Sequence, residues 1–223
     1  MTQWVEFQSA ADIALAAADT IEEHARFAIQ QRGEYKLVLA GGGTPVACYQ
    51  LLAGRPLQYE RWKLFYGDER CLPQDDAERN SNIVAATGLT KKINQHFAIP
   101  SELGAEKGAE QYAEIINHQT PFDTVLLGMG EDGHTASLFP GHDWVDADAE
   151  QTVIPVHHAP KPPSDRISLT LNALQNCRQM LVLVSGESKR EAVGRWRQGD
   201  DLPIARVANV EQATVFIEAS LTS

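Results

Sequence analysis

Residues 35–45, YKLVLAGGGTP, decide the fold of this chain. The run YKLVLA is short and apolar, and it ends at glycines, which is typical of a strand buried inside a sheet. Thr44 and Pro45 follow the glycines and suit the N-cap and the first position of a helix. A buried strand that turns through glycines into a helix is the repeating unit of parallel α/β sheets.

The same alternation continues along the chain. A helix is predicted over 9–32, with Ser9 as its N-cap and Gly33 as its stop. Further strands are predicted over 62–66, 96–99, 124–129, 152–156, 167–170, 180–184 and 214–217, and further helices over 44–53, 81–86, 104–118, 133–138 and 185–196. The sequence therefore predicts one α/β domain over residues 1–223, a Rossmann-like three-layer fold with a mostly parallel sheet and helices on both faces.

Charge limits the classes of partner. The 223 residues include 19 Lys and Arg against 30 Asp and Glu, a formal net charge of −11. A negative field of this kind repels nucleic acids and anionic lipids, so neither a nucleic-acid nor a membrane partner is predicted. An anionic ligand would need a site that creates its own positive potential.

The cysteines and the N-terminal residues indicate a compartment. The chain has three cysteines without CxxC spacing, which favours neither a disulfide framework nor a zinc site. The first residues lack a basic segment before an apolar one, and no run approaches the ~18 apolar residues of a membrane span. We expect a cytoplasmic protein.

Chemistry is expected in the loops at the carboxyl ends of the strands, because these ends meet at one edge of a parallel sheet. The first loop, 41–45, offers free N–H groups and a helix dipole, so Gly42, Gly43 and Thr44 are predicted to cradle a phosphate. A tight turn is the alternative. In the second loop, Asp68 and Arg70 are candidates to hold a polar substrate, and a solvated turn is equally compatible with the sequence.

The third loop, 128–141 (GMGEDGHTASLFPG), is the most informative. Asp132 and His134 lie two residues apart, and a carboxylate beside an imidazole is the usual means of orienting a general base. A metal site is disfavoured because the chain has no HExxH pattern.

Cations complete the set of candidates. Lys189 lies in the first turn of a predicted helix, where the dipole disfavours a cation unless an anion is bound. A surface lysine is the alternative. Arg79 and Arg166 are further candidates to supply positive charge to an anionic ligand.

Six segments together resemble a known family, the bacterial type of 6-phosphogluconolactonases. They occur in the family's order: LAGGGTP (39–45), YGDERCLP (66–73), ERNSN (78–82), LLGMGEDGHTASLFPG (126–141), PPSDRISLT (162–170) and SGESKR (185–190). The resemblance implies a fold shared with glucosamine-6-phosphate deaminases and ribose-5-phosphate isomerases. It implies a carboxylic ester hydrolase that converts 6-phospho-D-glucono-1,5-lactone to 6-phosphogluconate in the pentose phosphate pathway. No metal and no cofactor are implied, and we expect a monomer or a weak homodimer.

The resemblance also suggests roles for the candidate residues. His134 would take the proton of the attacking water and Asp132 would orient it, while Asp68 has no settled role. The substrate would lie against Gly42, Gly43, Thr44, Asp68, Arg70, Arg79, Arg166 and Lys189. One departure is Glu131, where the family more often has proline.

Two alternatives remain from different classes. The first is a phosphosugar isomerase or deaminase of the same fold; the deaminase carries a catalytic glutamate five residues after the histidine, and this chain has Phe139 there. A non-catalytic phosphosugar-sensing domain would carry an additional DNA-binding module, and residues 1–38 are short and lack a basic patch.

Overall fold

The structure is a computed structural model that describes residues 2–142 and 150–222. Strands occupy β1 (Gln3–Phe7), β2 (Tyr35–Leu39), β3 (Trp62–Tyr66), β4 (Asp68–Arg70), β5 (Gln95–His96), β6 (Phe122–Gly128), β7 (Val153–Val156), β8 (Arg166–Leu169), β9 (Cys177–Val184) and β10 (Ala213–Glu218). Helices occupy α1 (Ala10–Arg32), α2 (Gly43–Ala53), α3 (Asn80–Ala86), α4 (Ala105–Ile116), α5 (Leu171–Gln175), α6 (Arg190–Arg197) and α7 (Pro203–Val207).

The main sheet has seven strands in the order β1-β10-β9-β6-β2-β3-β5, and every neighbouring pair is parallel. Its central strands are buried almost throughout; in β6, for example, every residue except the last is buried. A strand can be buried in this way only when both faces of its sheet are covered. The predicted fold class is therefore confirmed.

The strand order creates a crevice at one edge of this sheet. From β2 the chain continues to β3 on one side, whereas from β6 it continues to β9 on the other. Because β2 and β6 are neighbours, the loops that follow them diverge. A switch point of this kind is where open α/β sheets bind their ligands.

A second, three-stranded antiparallel sheet (β4-β8-β7) lies beside the crevice and was not predicted. The segment predicted as a loop at 67–70 is largely strand β4, which pairs Asp68 with Ser168 and Arg70 with Arg166. The solvated-turn alternative is wrong, since Asp68 and Glu69 are buried. Three polar residues carry no strand signal of their own, and the pairing partner is about a hundred residues away in sequence.

The ends of the predicted helices are partly right. Helix α1 begins after Ser9, whose hydroxyl accepts the Asp12 N–H (3.2 Å), and it stops at Gly33, with φ of 79°. Helix α2, however, has Gly42 as its N-cap, so the prediction of Thr44 in that position is wrong. The glycine adopts φ of 104° and lets the helix begin one residue before Thr44.

Two further predictions need correction. Residues 133–138 form turns closed by an isolated bridge between Thr135 and Leu138 rather than a helix. The helix predicted over 185–196 begins as a 3-10 turn (Glu187–Lys189) before α6. Strand β1 and helices α5 and α7 were not predicted. In the described part of the chain, no helix combines the length and the apolar character needed to cross a bilayer.

Candidate active site

A cleft of about 290 Å³ lies at the carboxyl ends of β2, β3, β6 and β9. Its walls come from the loops that were predicted from the sequence to carry catalytic and binding residues. The side chains and loops lining it are Leu39, Ala40, Gly41, Gly42, Gly43, Thr44, Pro45, Gly67, Asp68, Arg70, Asn80, Leu126, Leu127, Gly128, Met129, Gly130, His134, Thr135, Ala136, Lys161, Arg166, Leu183, Ser185 and Lys189.

The glycine loop forms one wall of the cleft and leads into α2. Gly42, Gly43 and Thr44 all line the cleft, at the N-terminus of this eleven-residue helix. The first N–H groups of a helix have no partners within the helix, so they are available to an anion. The Thr44 hydroxyl lies 2.7 Å from Ser185 Oγ, which joins the loops that follow β2 and β9.

Asp132 and His134 form a hydrogen-bonded pair in the loop after β6. Asp132 Oδ1 lies 2.5 Å from His134 Nδ1, and the same oxygen accepts the His134 backbone N–H at 3.2 Å. No residue in 2–142 or 150–222 bonds the other ring nitrogen, Nε2, and His134 lines the cleft. An imidazole held through Nδ1 with Nε2 unbonded is the arrangement required of a general base.

The carboxylate of this pair stays ionised. Burial raises the pKa of Asp132, but the hydrogen bond and the charge of His134 outweigh it and hold the pKa well below its usual range. Asp132 is therefore a fixed negative charge that stabilises an imidazolium at His134. The ring of Phe139, fully buried, packs against that of His134 with centroids 4.6 Å apart.

Positive charge surrounds the cleft although the whole chain is acidic. Arg70, Lys161, Arg166 and Lys189 all line it. Burial lowers the pKa of Lys189, and the carboxylate of Glu131 partly opposes this effect. A cation that is partly desolvated and placed beside another cation, here Lys161, is stabilised by an incoming anion. The cleft thus has the local potential that the sequence required.

Arg166 is built into the wall. Its guanidinium donates to the carbonyls of Lys161 and Pro162 (3.2 and 3.1 Å) and lies 5.6 Å from the centre of the Phe139 ring. Burial lowers its pKa, and the carboxylate of Asp68 opposes that shift.

Asp68 lines the cleft and takes part in a network of hydrogen bonds. Ser137 Oγ donates to Asp68 Oδ2 at 2.6 Å, and Asn80 Nδ2 donates to Asp68 Oδ1 at 3.1 Å. The carboxylate is thus oriented by two neutral donors, and each of its oxygens keeps room for another donor.

The structure corrects one candidate. Arg79 does not line the cleft; it is buried behind it, where it donates to Glu102 (2.9 Å) and to the Ile99 carbonyl (2.8 Å). Its Nε lies 3.8 Å from Glu69 Oε2, so Arg79 neutralises a buried carboxylate instead of facing a ligand. A sequence does not show on which side of a loop a cation points.

Three residues that line the cleft were not predicted from the sequence: Asn80, Lys161 and Ser185. Ser137, which donates to Asp68 without lining the cleft, was not predicted either. Lys161 precedes two prolines and Arg166 closely, and that cluster of cations was the available signal. Asn80 and Ser137 carry no such signal, because an amide or a hydroxyl becomes informative only once its neighbours are known. Within residues 2–142 and 150–222, no group of three or more His, Cys, Asp or Glu side chains is placed to hold a metal ion.

Comparison with known proteins agrees with this geometry. A 6-phosphogluconolactonase of Streptomyces coelicolor is 39% identical over 183 residues, covering 73% of this chain and 70% of the relative. A solved structure of a 6-phosphogluconolactonase from Shewanella baltica superimposes with a TM-score of 0.89 at 27% identity, over 98% of both chains. A monomeric glucosamine-6-phosphate deaminase has the same fold, with a TM-score of 0.83 at 21% identity, over 99% of both chains.

The chain also matches the model of a protein family. The family model for glucosamine-6-phosphate isomerases and 6-phosphogluconolactonases matches residues 8–216, which include every strand but β1 and all but the end of β10. The chain therefore belongs to the family of glucosamine-6-phosphate isomerases and 6-phosphogluconolactonases.

Proposed function

We propose that this chain hydrolyses 6-phospho-D-glucono-1,5-lactone to 6-phosphogluconate, a step of the pentose phosphate pathway. The observation that carries the proposal is the position of His134. Its imidazole is held by Asp132 on the wall of a cleft that also contains Lys189, Arg166 and the N-terminus of α2. A base for water and a site for phosphate thus share one cavity.

His134 is the general base of the proposed reaction. Its Nε2 takes a proton from a water molecule while the water oxygen forms a bond to C1 of the lactone, and the electron pair of the carbonyl moves onto its oxygen. Asp132 stabilises the imidazolium that results. When the tetrahedral intermediate collapses, the bond from C1 to the ring oxygen breaks and the imidazolium returns its proton to that oxygen. The ring opens, and the free acid loses its proton to solvent.

The remaining cleft residues bind the rest of the substrate. Lys189, Arg166 and the helix N–H groups at Gly43 and Thr44 are suited to the dianionic phosphate. The same loop supplies N–H donors for the developing oxyanion, with Arg70 as a side-chain alternative. Lactone hydrolysis needs no proton removal at C2, so Asp68 is assigned to binding. The mechanism uses no metal and no organic cofactor.

Phe139 separates the proposal from the deaminase alternative. The glutamate expected of a deaminase at this position would have to accept a proton, whereas the ring of Phe139 is fully buried against His134. A phenyl ring has no proton to exchange. The sensing-domain alternative explains neither the Asp132–His134 pair nor the unbonded Nε2.

The proposal includes two statements beyond the site. We place the protein in the cytoplasm, in agreement with three cysteines that are all free thiols, and we propose a monomer or a weak homodimer.

A coupled assay tests the reaction. The lactone is generated with glucose-6-phosphate dehydrogenase, this protein is added, and 6-phosphogluconate is detected with its dehydrogenase. We expect a rate that rises in proportion to the protein above spontaneous hydrolysis; a rate equal to the spontaneous one would refute the proposal. In a parallel sample with glucosamine 6-phosphate, ammonia release should be absent, and substantial release would assign the chain to the deaminases instead.

A further inference from the structure

One buried polar atom at the cleft takes part in no hydrogen bond with the described residues. Asn80 is 3% exposed and lines the cleft, and both hydrogens of its amide are used: Nδ2 donates to the Asp68 carbonyl (2.9 Å) and to Asp68 Oδ1 (3.1 Å). Its Oδ1 is buried and has no hydrogen-bond partner in the described part of the chain. Buried amide oxygens are nearly always bonded, so this exception needs an explanation.

The orientation of the amide is fixed. If Oδ1 and Nδ2 were exchanged, an oxygen would face both acceptors of Asp68, so the hydrogen bonds determine which atom is which. Oδ1 is consequently turned toward the glycine loop, where a Cβ at Gly41 would lie 2.4 Å from it. Gly41 itself lines the cleft.

The protein also holds the residue firmly in place. Glu69, which is completely buried, accepts the backbone N–H groups of Asn80 (2.6 Å) and Ser81 (2.8 Å), and so caps α3 from the neighbouring strand. Arg79, the N-cap residue of α3, makes no capping bond with its side chain. Position 80 is thus fixed by a buried carboxylate that satisfies the first two N–H groups of α3.

We propose that Asn80 Oδ1 accepts a hydrogen bond from a sugar hydroxyl, and that Asn80 and Asp68 together recognise the polyol part of the substrate. This inference rests on the proposed function. An amide oxygen is an acceptor only, so it cannot bind a phosphate dianion, which also offers only acceptors. The lactone ring, in contrast, carries three hydroxyl donors, at C2, C3 and C4. Phosphate recognition therefore belongs to the cations and hydroxyl recognition to this pair.

The pair has a consequence that can be measured. A hydroxyl has one hydrogen to donate, so a single hydroxyl cannot serve both Asn80 Oδ1 and the Asp68 carboxylate. The two residues must therefore accept hydrogen bonds from two different hydroxyls. If a substrate lacks the hydroxyl that Asn80 binds, mutating Asn80 should have no further effect on kcat/KM, whereas mutating Asp68 should still lower it. The reverse should hold for a substrate that lacks the hydroxyl bound by Asp68.

The experiment compares Asn80→Ala and Asp68→Asn with the wild type on the lactone and on its 2-deoxy, 3-deoxy and 4-deoxy forms, prepared by oxidation of the deoxy 6-phosphosugars. We expect Asn80→Ala to lower kcat/KM about tenfold on the full substrate, the size of one neutral hydrogen bond, and to have little effect on one deoxy form. That deoxy form should differ from the one that cancels Asp68→Asn.

Inhibition by inorganic phosphate should be unchanged in Asn80→Ala, which also shows that the variant is folded. Asn82→Ala is the matched control, since Asn82 lies on the same helix but donates to the carbonyls of Gln74 and Asp76 outside the cleft.

Two results would overturn the inference. An equal loss on all four substrates would mean that Asn80 touches no hydroxyl. Cancellation of both variants by the same deoxy form would mean that Asn80 acts only by orienting Asp68. If the wild type failed to hydrolyse the lactone, the proposed function would fail separately, and calorimetric binding of 6-phosphogluconate and its deoxy forms would replace kcat/KM in the same comparison.

Discussion

The imidazole of His134 occupies the space that a side chain at Gly130 would need. A Cβ at position 130 would lie 2.0 Å from His134 Nδ1 and 2.6 Å from Asp132 Oδ1. The Gly130 N–H also donates to the His134 carbonyl at 2.8 Å, so the loop turns back on itself around the pair. Gly130 is not among the glycines with positive φ, so its backbone conformation does not require a glycine. What requires a glycine is the close approach of the His134 and Asp132 side chains.

Gly130→Ala should therefore lower kcat while the protein still folds. The backbone tolerates alanine, but the new methyl group must displace the imidazole or the Asp132 carboxylate. A displacement of about 1 Å in a reacting group costs on the order of 10²-fold in rate. The measurement is kcat for the lactone alongside thermal unfolding.

Gly194→Ala is the control for this change. Gly194 lies in α6 with nothing within 4 Å of its added Cβ, so the substitution should stabilise the helix by up to ~1 kcal/mol without affecting kcat. Unchanged kcat in Gly130→Ala would show that the position of His134 is not critical.

Much of this arrangement could be predicted from sequence. The segment 35–45 predicts the buried strand, the glycine turn and the helix, since local patterns of apolar residues and glycines determine all three. The same holds for Asp132 and His134, because two residues in one short loop stay close in any fold.

What could not be predicted depends on contacts between distant segments. Strand β4 forms because its backbone pairs with that of β8, with Arg70 opposite Arg166. Asn80 faces the cleft because hydrogen bonds to Asp68 and Glu69 hold it there. Arg79 was misplaced for the same reason, since its direction is set by Glu102, 23 residues away. The N-cap of α2 moved from Thr44 to Gly42 because only glycine adopts the required φ without strain.

Lys189→Ala should raise KM for the phosphorylated lactone. It removes a charge-assisted contact worth about 1.5–3 kcal/mol, or roughly 10- to 150-fold. The non-phosphorylated gluconolactone should be little affected, and Lys107→Ala, an exposed lysine on α4 outside the cleft, should change neither. Equal losses on both lactones would make the role of Lys189 structural.

The binding of 6-phosphogluconate should also depend on pH through Lys189. Burial lowers the pKa of this lysine, so its charge is lost at a lower pH than that of an exposed lysine. Affinity should accordingly fall as the pH rises through that lowered pKa. Lys189→Arg should remove the dependence because arginine keeps its charge. Calorimetry across alkaline pH measures it, and an identical profile in the arginine variant would contradict the assignment.

Glu131→Gln should lower KM for the phosphorylated lactone. Glu131 Oε1 lies 2.7 Å from Lys161 Nζ, and Lys161 lines the cleft, so the carboxylate competes with the phosphate for this cation. Glu131 is exposed and Lys161 is partly exposed, and ion pairs of this kind are weak in water, so the gain should not exceed about fivefold. The gain should shrink as salt is added. A higher KM would show that Glu131 instead positions Lys161 for binding.

His134→Asn should lower kcat by about 10²–10⁴-fold with the fold intact, because asparagine fills a similar volume but cannot take a proton from water. The Asp132 carboxylate beside His134 remains ionised, since its pKa lies well below the usual range. The measurement is kcat for the lactone after spontaneous opening has been subtracted, with thermal unfolding to show that the variant is folded.

The matched control for this variant is His157→Asn. His157 is also bonded to carboxylates, Glu106 at 2.9 Å and Asp165 at 3.1 Å, but it does not line the cleft. Its kcat should equal that of the wild type. Binding of 6-phosphogluconate should change little in either variant, because the phosphate is held by other loops. If His134→Asn retained near-wild-type kcat, the proton acceptor would have to be another group in the cleft, and Asp68→Asn would be the next variant to measure.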